Sequence, residues 1–247
     1  MDKTLFSPIH LPSCEVACSS CNLREICLPL GMTRQELEYI DHRMVTARRK
    51  VARGASLYQA GDRFDSLYAV WTGFFKTCVS SRDGRGQVTG FQLGGEMLGM
   101  DGIGARRHEV DAVALEDSQV CVIPFEALEA LAAEIPSLQH QLHRLMSREI
   151  VRNQGVMLLL GSMYAEERLA AFLMNLTHRL QARGFSASSV LLRMTRDEIG
   201  SFLGLTLETV SRTFSKFQAD GLLFVRNRQI RITDPVGLQH IVDGATH

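Results

Sequence analysis

Four of the six cysteines of this chain fall within fourteen residues, at Cys14, Cys18, Cys21 and Cys27. A thiolate is a soft ligand, and clustered thiolates typically hold zinc or an iron–sulfur cluster. The C-x2-C-x5-C run from Cys18 to Cys27 supplies three ligands on one short loop. Because either centre needs a fourth ligand, the chain must fold so that Cys14 or a distant residue reaches this loop.

The cysteine spacing favours an iron–sulfur cluster over the other uses of cysteine. A structural zinc site usually combines two close pairs, and this chain has no second C-x2-C pair. Plant-type ferredoxins also mix short and longer gaps. Disulfide frameworks are typical of shorter, secreted chains. Zinc therefore stays as the alternative to an iron–sulfur cluster.

The totals of the chain exclude few partners but set its class. Its 247 residues, 45% of them hydrophobic, suffice for one large or two modest domains. Lys+Arg and Asp+Glu both number 27, so a nucleic-acid surface would have to concentrate its positive charge locally. The N-terminus has no signal-peptide pattern, and apolar runs such as residues 156–160 are too short to cross a bilayer. We therefore expect a soluble cytoplasmic protein with no membrane partner.

The first half of the chain predicts a loop followed by a β-barrel. Residues 1 to about 30 are rich in Pro and Cys and are expected to wrap around the bound centre. Thr33 and Glu36 match a capping box that begins a short amphipathic helix. Many short strands at regular spacing then indicate an antiparallel barrel or jelly roll. The expected strands are residues 56–58, 66–71, 74–79, 87–91, 111–114 and 120–123.

A long helical pattern follows Pro136. Its apolar residues recur at steps of three and four and therefore share one face. The length of this helix favours a dimer seam over packing on the chain's own barrel. Asn153 is a polar interruption, which costs stability but can fix the register of paired helices. The stripe consists of Leu142, Met146, Ile150, Asn153, Met157, Leu160 and Tyr164.

The last section of the chain predicts a winged helix-turn-helix. A capping box at Thr195 and Glu198 begins one helix, Gly204 ends it, and Thr206 caps the next. Residues 222–225 and 229–233 read as a two-stranded wing.

The helix after Thr206 carries side chains suited to reading bases. Glu208, Thr209, Ser211 and Arg212 occupy early positions that are expected to be exposed, whereas Val210 and Phe214 are expected to face the core. Arg can donate to O6 and N7 of guanine together, and Glu can accept from N4 of cytosine. An ordinary surface ion pair between Glu208 and Arg212, one helical turn apart, is the alternative. The expected phosphate contacts are Lys216, Arg226, Arg228 and Arg231.

These patterns together resemble the FNR branch of the cyclic-AMP receptor protein (CRP/FNR) superfamily of bacterial regulators, over nearly the whole chain. The resemblance implies an α+β fold with an N-terminal jelly-roll sensor domain like a cyclic-nucleotide-binding domain, a long dimerisation helix and a C-terminal winged helix-turn-helix. The segments that carry it are the run from Cys18 to Cys27 and residues 87–91 (QVTGF), 120–125 (VCVIPF), 144–150 (RLMSREI), 165–172 (AEERLAAF) and 195–212 (TRDEIGSFLGLTLETVSR).

The resemblance also implies a cofactor and partners. It implies an oxygen-labile [4Fe-4S] cluster on Cys18, Cys21, Cys27 and Cys121, with Cys14 and Cys78 matching no ligand. It further implies a homodimer that activates transcription through RNA polymerase and binds double-stranded DNA at a palindrome resembling TTGAT-N4-ATCAA. Oxygen would convert the cluster, loosen the dimer seam and lower the affinity for DNA. The implied base readers are Glu208, Ser211 and Arg212, with Thr206 and Thr209 beside them.

We expect four parts in this chain. They are a cysteine-rich cluster-binding segment at residues 1–30, the barrel sensor domain at 31–135, the dimerisation helix at 136–164 and the DNA-binding domain at 165–247.

Two positions depart from the family pattern. Asn153 stands where an acidic residue is usual, so its symmetry mate is repelled less and oxygen is expected to dissociate this dimer less completely. The loop at residues 83–87 carries Arg85 where the family can be acidic, which puts a polymerase contact through this loop in doubt.

Two other functions fit these patterns less well. A cyclic-nucleotide-gated regulator would use Gly95 and Glu96, but the stretch that should bind the phosphate contains Glu109 beside Arg106 and Arg107, and a carboxylate repels a phosphate. The chain lacks the common catalytic motifs, so we do not expect an enzyme.

Overall fold

The computed structural model describes residues 18, 19, 21, 23, 27, 28, 32–41, 43–80 and 86–244. Within these residues there are seven α-helices and eleven strands. The helices are α1 Arg34–Asp41, α2 Phe125–Glu134, α3 Pro136–Ser162, α4 Ala165–Gln181, α5 Arg196–Leu203, α6 Leu207–Ala219 and α7 Pro235–Val242. The strands are β1 Ala47–Val51, β2 Ser56–Tyr58, β3 Ser66–Thr72, β4 Phe74–Ser80, β5 Gly86–Leu93, β6 Met97–Leu98, β7 Asp111–Ala114, β8 Ser118–Pro124, β9 Ser189–Leu191, β10 Leu223–Arg226 and β11 Gln229–Ile232.

The first eight strands form the predicted jelly roll. Two four-stranded sheets have the orders β1-β8-β3-β6 and β2-β7-β4-β5, and their strand pairs are antiparallel. Apolar side chains such as Val70, Phe75 and Val120 are fully buried in one core cluster of this domain. The sequence did not reveal β1, because four of its five residues (ARRKV) are exposed or half-buried and only Val51 is buried.

Helix α3 is the predicted long helix, at 27 residues or about 40 Å. It begins with Pro136 at a first-turn position, where a missing N–H costs nothing. Tyr164 does not extend the stripe as expected, because the helix ends at Ser162 and Tyr164, with an extended backbone, instead caps α4. The outer face of α3 leaves Met146, Ile150, Val151, Met157 and Leu158 exposed, and Asn153 lies among them.

The C-terminal part is a helix-turn-helix with a wing of three strands. Gly204 ends α5 in the left-handed conformation (φ 63°), and α6 follows after a short turn. The wing has the order β10-β11-β9, so it contains one strand more than the sequence predicted. Helix α7, capped by Asp234, was also not predicted.

Arg168 of α4 connects the end of the long helix to the helix-turn-helix. Its guanidinium donates to the carbonyl of Leu160 in α3 (2.8 Å) and to the carbonyl of Leu203 at the end of α5 (3.0 Å). Both carbonyls belong to last turns of helices, where no intrahelical donor is left for them. A single side chain thus fixes α3 against the helix that precedes α6.

The barrel and the C-terminal part share a hydrophobic core. The ring of Phe91 in β5 packs against Phe172 of α4 and Phe202 of α5, with ring centroids 5.9 and 5.3 Å apart. Lys76 of β4 pairs with Glu198 of α5 at 2.8 Å. None of the helices in the described part of the chain is long and apolar enough to span a membrane.

Candidate cluster site and nucleic-acid interface

Cys121 lies in the middle of the barrel sheet that faces α2 and α3. It is on β8, where its neighbours across the sheet are Arg48 of β1 and Ala69 of β3. Its residue is 9% exposed. Because β8 pairs with a strand on each side, the barrel fixes the position of this thiol. A site that uses Cys121 together with the N-terminal cysteines therefore requires their segment to pack against this sheet.

The N-terminal cysteine segment, called the cysteine loop and described at residues 18, 19, 21, 23 and 27, is attached to the end of α1 through Ser19. The backbone N–H of Ser19 donates to Asp41 Oδ1 at 2.8 Å, and the Ser19 hydroxyl donates to the other oxygen of the same carboxylate. Within the loop, Cys21 N–H donates to the Cys18 carbonyl at 3.2 Å. Asp41 is 7% exposed and therefore holds the loop from inside the protein.

The four predicted ligands line one cavity. Its volume is about 60 Å³, and it lies between the sheet of β8, helix α2 and the first half of α3. The cysteines in its wall are Cys18, Cys21, Cys27 and Cys121. The other lining residues are nearly all apolar: Leu23, Leu28, Met44, Val45, Ala69, Val70, Trp71, Met97, Ile123, Leu128, Leu138, Gln141, Leu142 and Leu145.

Burial raises the pKa of the thiols in this cavity. It brings the pKa of Cys18 and that of Cys27 to about 12, and the neighbouring cysteines add to the effect. Such thiols are protonated near neutral pH unless a positively charged centre deprotonates them, as a bound metal does. Four soft donors in an apolar wall therefore match a thiolate-bound metal centre in their chemistry. Their spacing does not yet match it: among the residues that the structure describes, no group of three His, Cys, Asp or Glu side chains is close enough to hold a metal ion.

Arg48 places a positive charge beside Cys121. Its guanidinium carbon lies 3.8 Å from the centre of the Trp71 ring. Burial raises the pKa of Cys121, while the hydrogen bond and the charge of Arg48 act in the opposite direction. No local sequence pattern indicates Arg48 or Asp41 as parts of this site, because their positions depend on strand pairing and on the docking of the cysteine loop.

The cysteine loop also contacts the long helix. The Gln141 side chain of α3 donates to the backbone carbonyl of Cys27 at 3.4 Å. Gln141 is 4% exposed. The remaining cysteines are different: Cys78 is a half-buried residue on β4, outside the cavity wall, and Cys14 lies outside the described residues.

At the other end of the chain, α6 presents the predicted reading face. The Thr206 hydroxyl accepts from Thr209 N–H at 3.2 Å and caps the helix, as expected. Val210, Phe214 and Phe217 are buried at 0%, 3% and 0% exposure and anchor the helix from behind. Thr206, Glu208 and Arg212 are exposed, and Thr209 and Ser211 are half-buried.

The charged groups around α6 are arranged as a mostly unpaired surface. In the described part of the chain Glu208 and Arg212 form no ion pair with each other, and Arg212 instead lies 3.5 Å from the Thr209 hydroxyl. Lys216 differs from the expectation, because its ammonium contacts both carboxylate oxygens of Glu166 at 2.6 Å. The wing residues Arg226, Arg228 and Arg231 are exposed.

The position that would bind a cyclic nucleotide is used in another way. The Glu96 carboxylate accepts hydrogen bonds from Arg179 and Arg183 of the C-terminal part. Arg106 and Arg107 line a different surface, where Arg107 donates to the carbonyl of Gly61 at 2.8 Å. This arrangement disfavours a nucleotide phosphate beside Glu96. The loop with Arg85 lies outside the described residues.

Two family profiles match the two halves of this architecture. The cyclic nucleotide-binding domain matches residues 48–134, and the Crp-like helix-turn-helix domain matches residues 167–241.

Relatives of the chain match over most of its length. It is 46% identical to the transcriptional regulatory protein btr of Bordetella pertussis, over 91% of this chain and 93% of that protein. It is 44% identical to the transcriptional activator protein Anr of Pseudomonas protegens, over 92% and 93%. It is 41% identical to the fumarate and nitrate reduction regulatory protein of Escherichia coli K12, over 94% and 92%.

Among solved structures, FixK2 from Bradyrhizobium japonicum is similar, with a TM-score of 0.73 and 31% identity over 79% of this chain and 96% of that chain. The relatives are transcription regulators and not enzymes, as expected from the sequence. The fold, the two matched domains and these relatives agree, and the chain belongs to the FNR branch of the CRP/FNR superfamily of DNA-binding transcription regulators.

Proposed function

We propose that this chain is a cytoplasmic transcription activator that responds to oxygen through a [4Fe-4S] cluster on Cys18, Cys21, Cys27 and Cys121. The observation that carries the proposal is the common cavity of these four thiols, whose wall also includes α3. When bound, the cluster supplies a centre that oxygen degrades. The chain's own residues hold the cluster, form the dimer seam and contact DNA.

The cavity residues connect the cluster site to dimerisation. Gln141 binds the Cys27 backbone, and Leu138, Leu142 and Leu145 of α3 lie in the cavity wall. A change in the cysteine loop therefore acts directly on the first half of α3. The outer face of the same helix carries Met146, Ile150 and Met157, which are 38%, 58% and 66% exposed and form an apolar surface for a second copy.

Asn153 lies on this seam and sets how strongly two copies separate. A neutral amide does not repel its counterpart, so the dimer seam is expected to weaken only partly when the cluster is lost. The degree of dissociation by oxygen is then smaller than for an acidic residue at this position.

The reading face of α6 suits the palindrome TTGAT-N4-ATCAA. The early residues of a recognition helix enter the major groove, and a two-fold dimer places two such helices about one helical turn of DNA apart. Glu208, Ser211 and Arg212 contact base edges, and a good bidentate contact discriminates by about 1–3 kcal/mol. Thr206 and Thr209 fix the start of the helix, and Arg226, Arg228 and Arg231 contact phosphates. The name of the Pseudomonas relative, an activator, supports RNA polymerase as a further partner.

The test is purification without air, followed by metal and sulfide analysis, an absorption spectrum and footprinting on the palindrome before and after air. We expect iron and sulfide in about equal amounts, visible absorption that air bleaches, and a footprint that weakens with it. Cys121→Ser should lack the absorption and the response to air, whereas Cys78→Ser, the matched control outside the cavity, should keep both. A colourless zinc protein with an air-insensitive footprint would contradict the proposal and favour a structural zinc site.

A further inference from the structure

The turn at residues 94–96, between β5 and β6, touches the cysteine loop on one side. The Cys27 sulfur lies 3.7 Å from the carbonyl oxygen of Gly95. Gly95 has a φ of 83°, which a residue with a side chain adopts only with strain. Gly95 N–H donates to the Val70 carbonyl at 2.7 Å, and Val70 N–H donates to the Glu96 carbonyl at 2.9 Å. The turn is therefore rigid and attached to β3 next to the residue that pairs with Cys121.

The same turn binds the C-terminal part on its other side. The Glu96 carboxylate accepts from Arg179 Nε at 3.0 Å and from Arg183 Nη2 at 2.8 Å. Arg183 also donates to the carbonyl of Gly94, and Arg179 donates to the carbonyl of Phe91 at 2.5 Å. Arg179 lies in the last turn of α4, and Arg183 follows the C-cap residue Ala182. Two arginines of the C-terminal part thus clamp a turn that contacts the cysteine loop.

The ion pairs of this turn are buried and charged. The side chains of Arg183 and Glu96 are 6% and 18% exposed. Burial alone would raise the pKa of Glu96, but the two arginines outweigh it and hold the pKa below its ordinary value. Since a buried charge that loses its partner is strongly unfavourable, the carboxylate and the guanidinium groups must move together.

Glu96 also contacts the long helix. Arg152 of α3 lies 3.9 Å from the Glu96 carboxylate. The carboxylate of Glu96 therefore lies where the cysteine loop, the long helix and the C-terminal part meet.

We propose that Glu96 is the positioning residue that sets the orientation of the DNA-binding part according to the state of the Cys27 loop, acting through Arg179 and Arg183. This inference rests on the proposed cluster. A shift of Cys27 displaces the Gly95 carbonyl, and the adjacent carboxylate carries both arginines with it. Coupling between two sites is measured as the ratio of DNA affinities in the two states of the sensor, and such ratios typically span about 5- to 150-fold.

The test measures DNA affinity for the cluster-loaded protein without air and for the cluster-free protein, in the wild type and in Glu96→Gln. We expect Glu96→Gln to keep its iron, sulfide and absorption spectrum but to bring the ratio of the two affinities close to one. Glu116→Gln is the matched control, because Glu116 also joins the barrel to the C-terminal part, through an ion pair with Arg193 at 2.9 Å. Glu116 lies outside the turn at residues 94–96. This variant should keep the wild-type ratio.

A second variant protects the test against misfolding. Arg183→Lys keeps the charge but loses the forked geometry that reaches Glu96 and Gly94 together, so the ratio should fall in the same direction but less. A ratio that stays at the wild-type value in both variants overturns the role of Glu96, and so does an equal loss of affinity in both states, which is a purely structural effect. A wild-type ratio of one would instead overturn the proposed function itself, and this inference with it.

Discussion

The cysteine cavity and the recognition helix are built in opposite ways. Helix α6 is held by a cap three residues away and by its buried Val210, Phe214 and Phe217, which belong to the core that the C-terminal part shares with the barrel. The cavity joins an inner barrel strand and the first half of α3 to a loop near the N-terminus, which lies about a hundred residues before them in the chain. A site of local contacts keeps its shape when distant parts change, whereas a site of distant contacts transmits its changes to each of them.

The largest expected effect tests how far the reading end depends on the buried side chains of α6. Replacing Phe217, a fully buried residue of α6, with Ala should lower the free energy of unfolding by about 3–5 kcal/mol, because a large cavity remains in the core. Denaturant unfolding followed by circular dichroism measures this loss, and footprinting should weaken with it. The cluster absorption of Phe217→Ala should remain.

The control is Phe224→Ala on β10, where the side chain is 49% exposed and little packing is lost. If Phe217→Ala also loses its cluster, the two ends are not built independently and the comparison fails.

An intermediate effect is expected at the opposite end, in the support of the cysteine loop. Asp41→Asn removes the charge and one of the two acceptors that hold Ser19. Asp41 supports the ligand Cys18 only through its neighbour Ser19, so the loss known for a direct outer partner of a metal ligand, about 10- to 100-fold in metal affinity, is the upper bound. Competition with an iron chelator, without air, should show a loss within this bound, while the DNA affinity of the cluster-free protein stays unchanged.

Asp117→Asn serves as the comparison, because Asp117 accepts a backbone N–H from Arg53 at 2.9 Å on an exposed turn away from the cysteines. Equal iron loss in both variants would mean that Asp41 has no special role.

The smallest effect concerns the contact between the barrel and the C-terminal part, through Lys76 and Glu198, and it depends on pH. Burial would raise the pKa of Glu198, but the hydrogen bond and charge of Lys76 and the backbone of Thr195 hold it below the ordinary value. A carboxyl group whose pKa is lower in the folded state stabilises the fold above its unfolded pKa, and this contribution is lost as the pH falls through the folded pKa. We expect the free energy of unfolding to fall by about 1 kcal/mol as the pH is lowered from about 5 through the folded pKa of Glu198.

Chemical denaturation of the cluster-free protein at a series of pH values measures this loss. Glu198→Gln can still accept the Thr195 N–H but cannot titrate, so its curve should be flatter. The same curve for both proteins would exclude Glu198 as the source.

The sequence predicted the reading end in more detail than the cysteine end. The caps at Thr195 and Thr206 and the buried Val210 and Phe214 follow from patterns within a few residues, and all are present in the structure. The wing strand β9 was missed because three residues give too short an alternation to recognise. Arg48 was missed because only the pairing of β1 with β8 brings it beside Cys121.

The same reason explains the cavity. Resemblance to the family named its four cysteines, and the structure brings them to one wall, but no local pattern shows that Asp41 supports the loop or that Gln141 reaches it. Such contacts exist only after distant segments have folded together.

The two ends of α3 are gripped by different partners: Gln141 holds the Cys27 backbone near its start, and Arg168 holds the Leu160 carbonyl near its finish. A stiff rod held in this way works as a lever. A tilt of roughly 5° at one end moves the other end of a helix of about 40 Å by about 3.5 Å, close to the separation of neighbouring base pairs in DNA. A tilt of α3 that leaves the strands of the barrel intact therefore displaces the C-terminal end of this helix by about one base-pair step, which is enough to change how the recognition helix fits the groove.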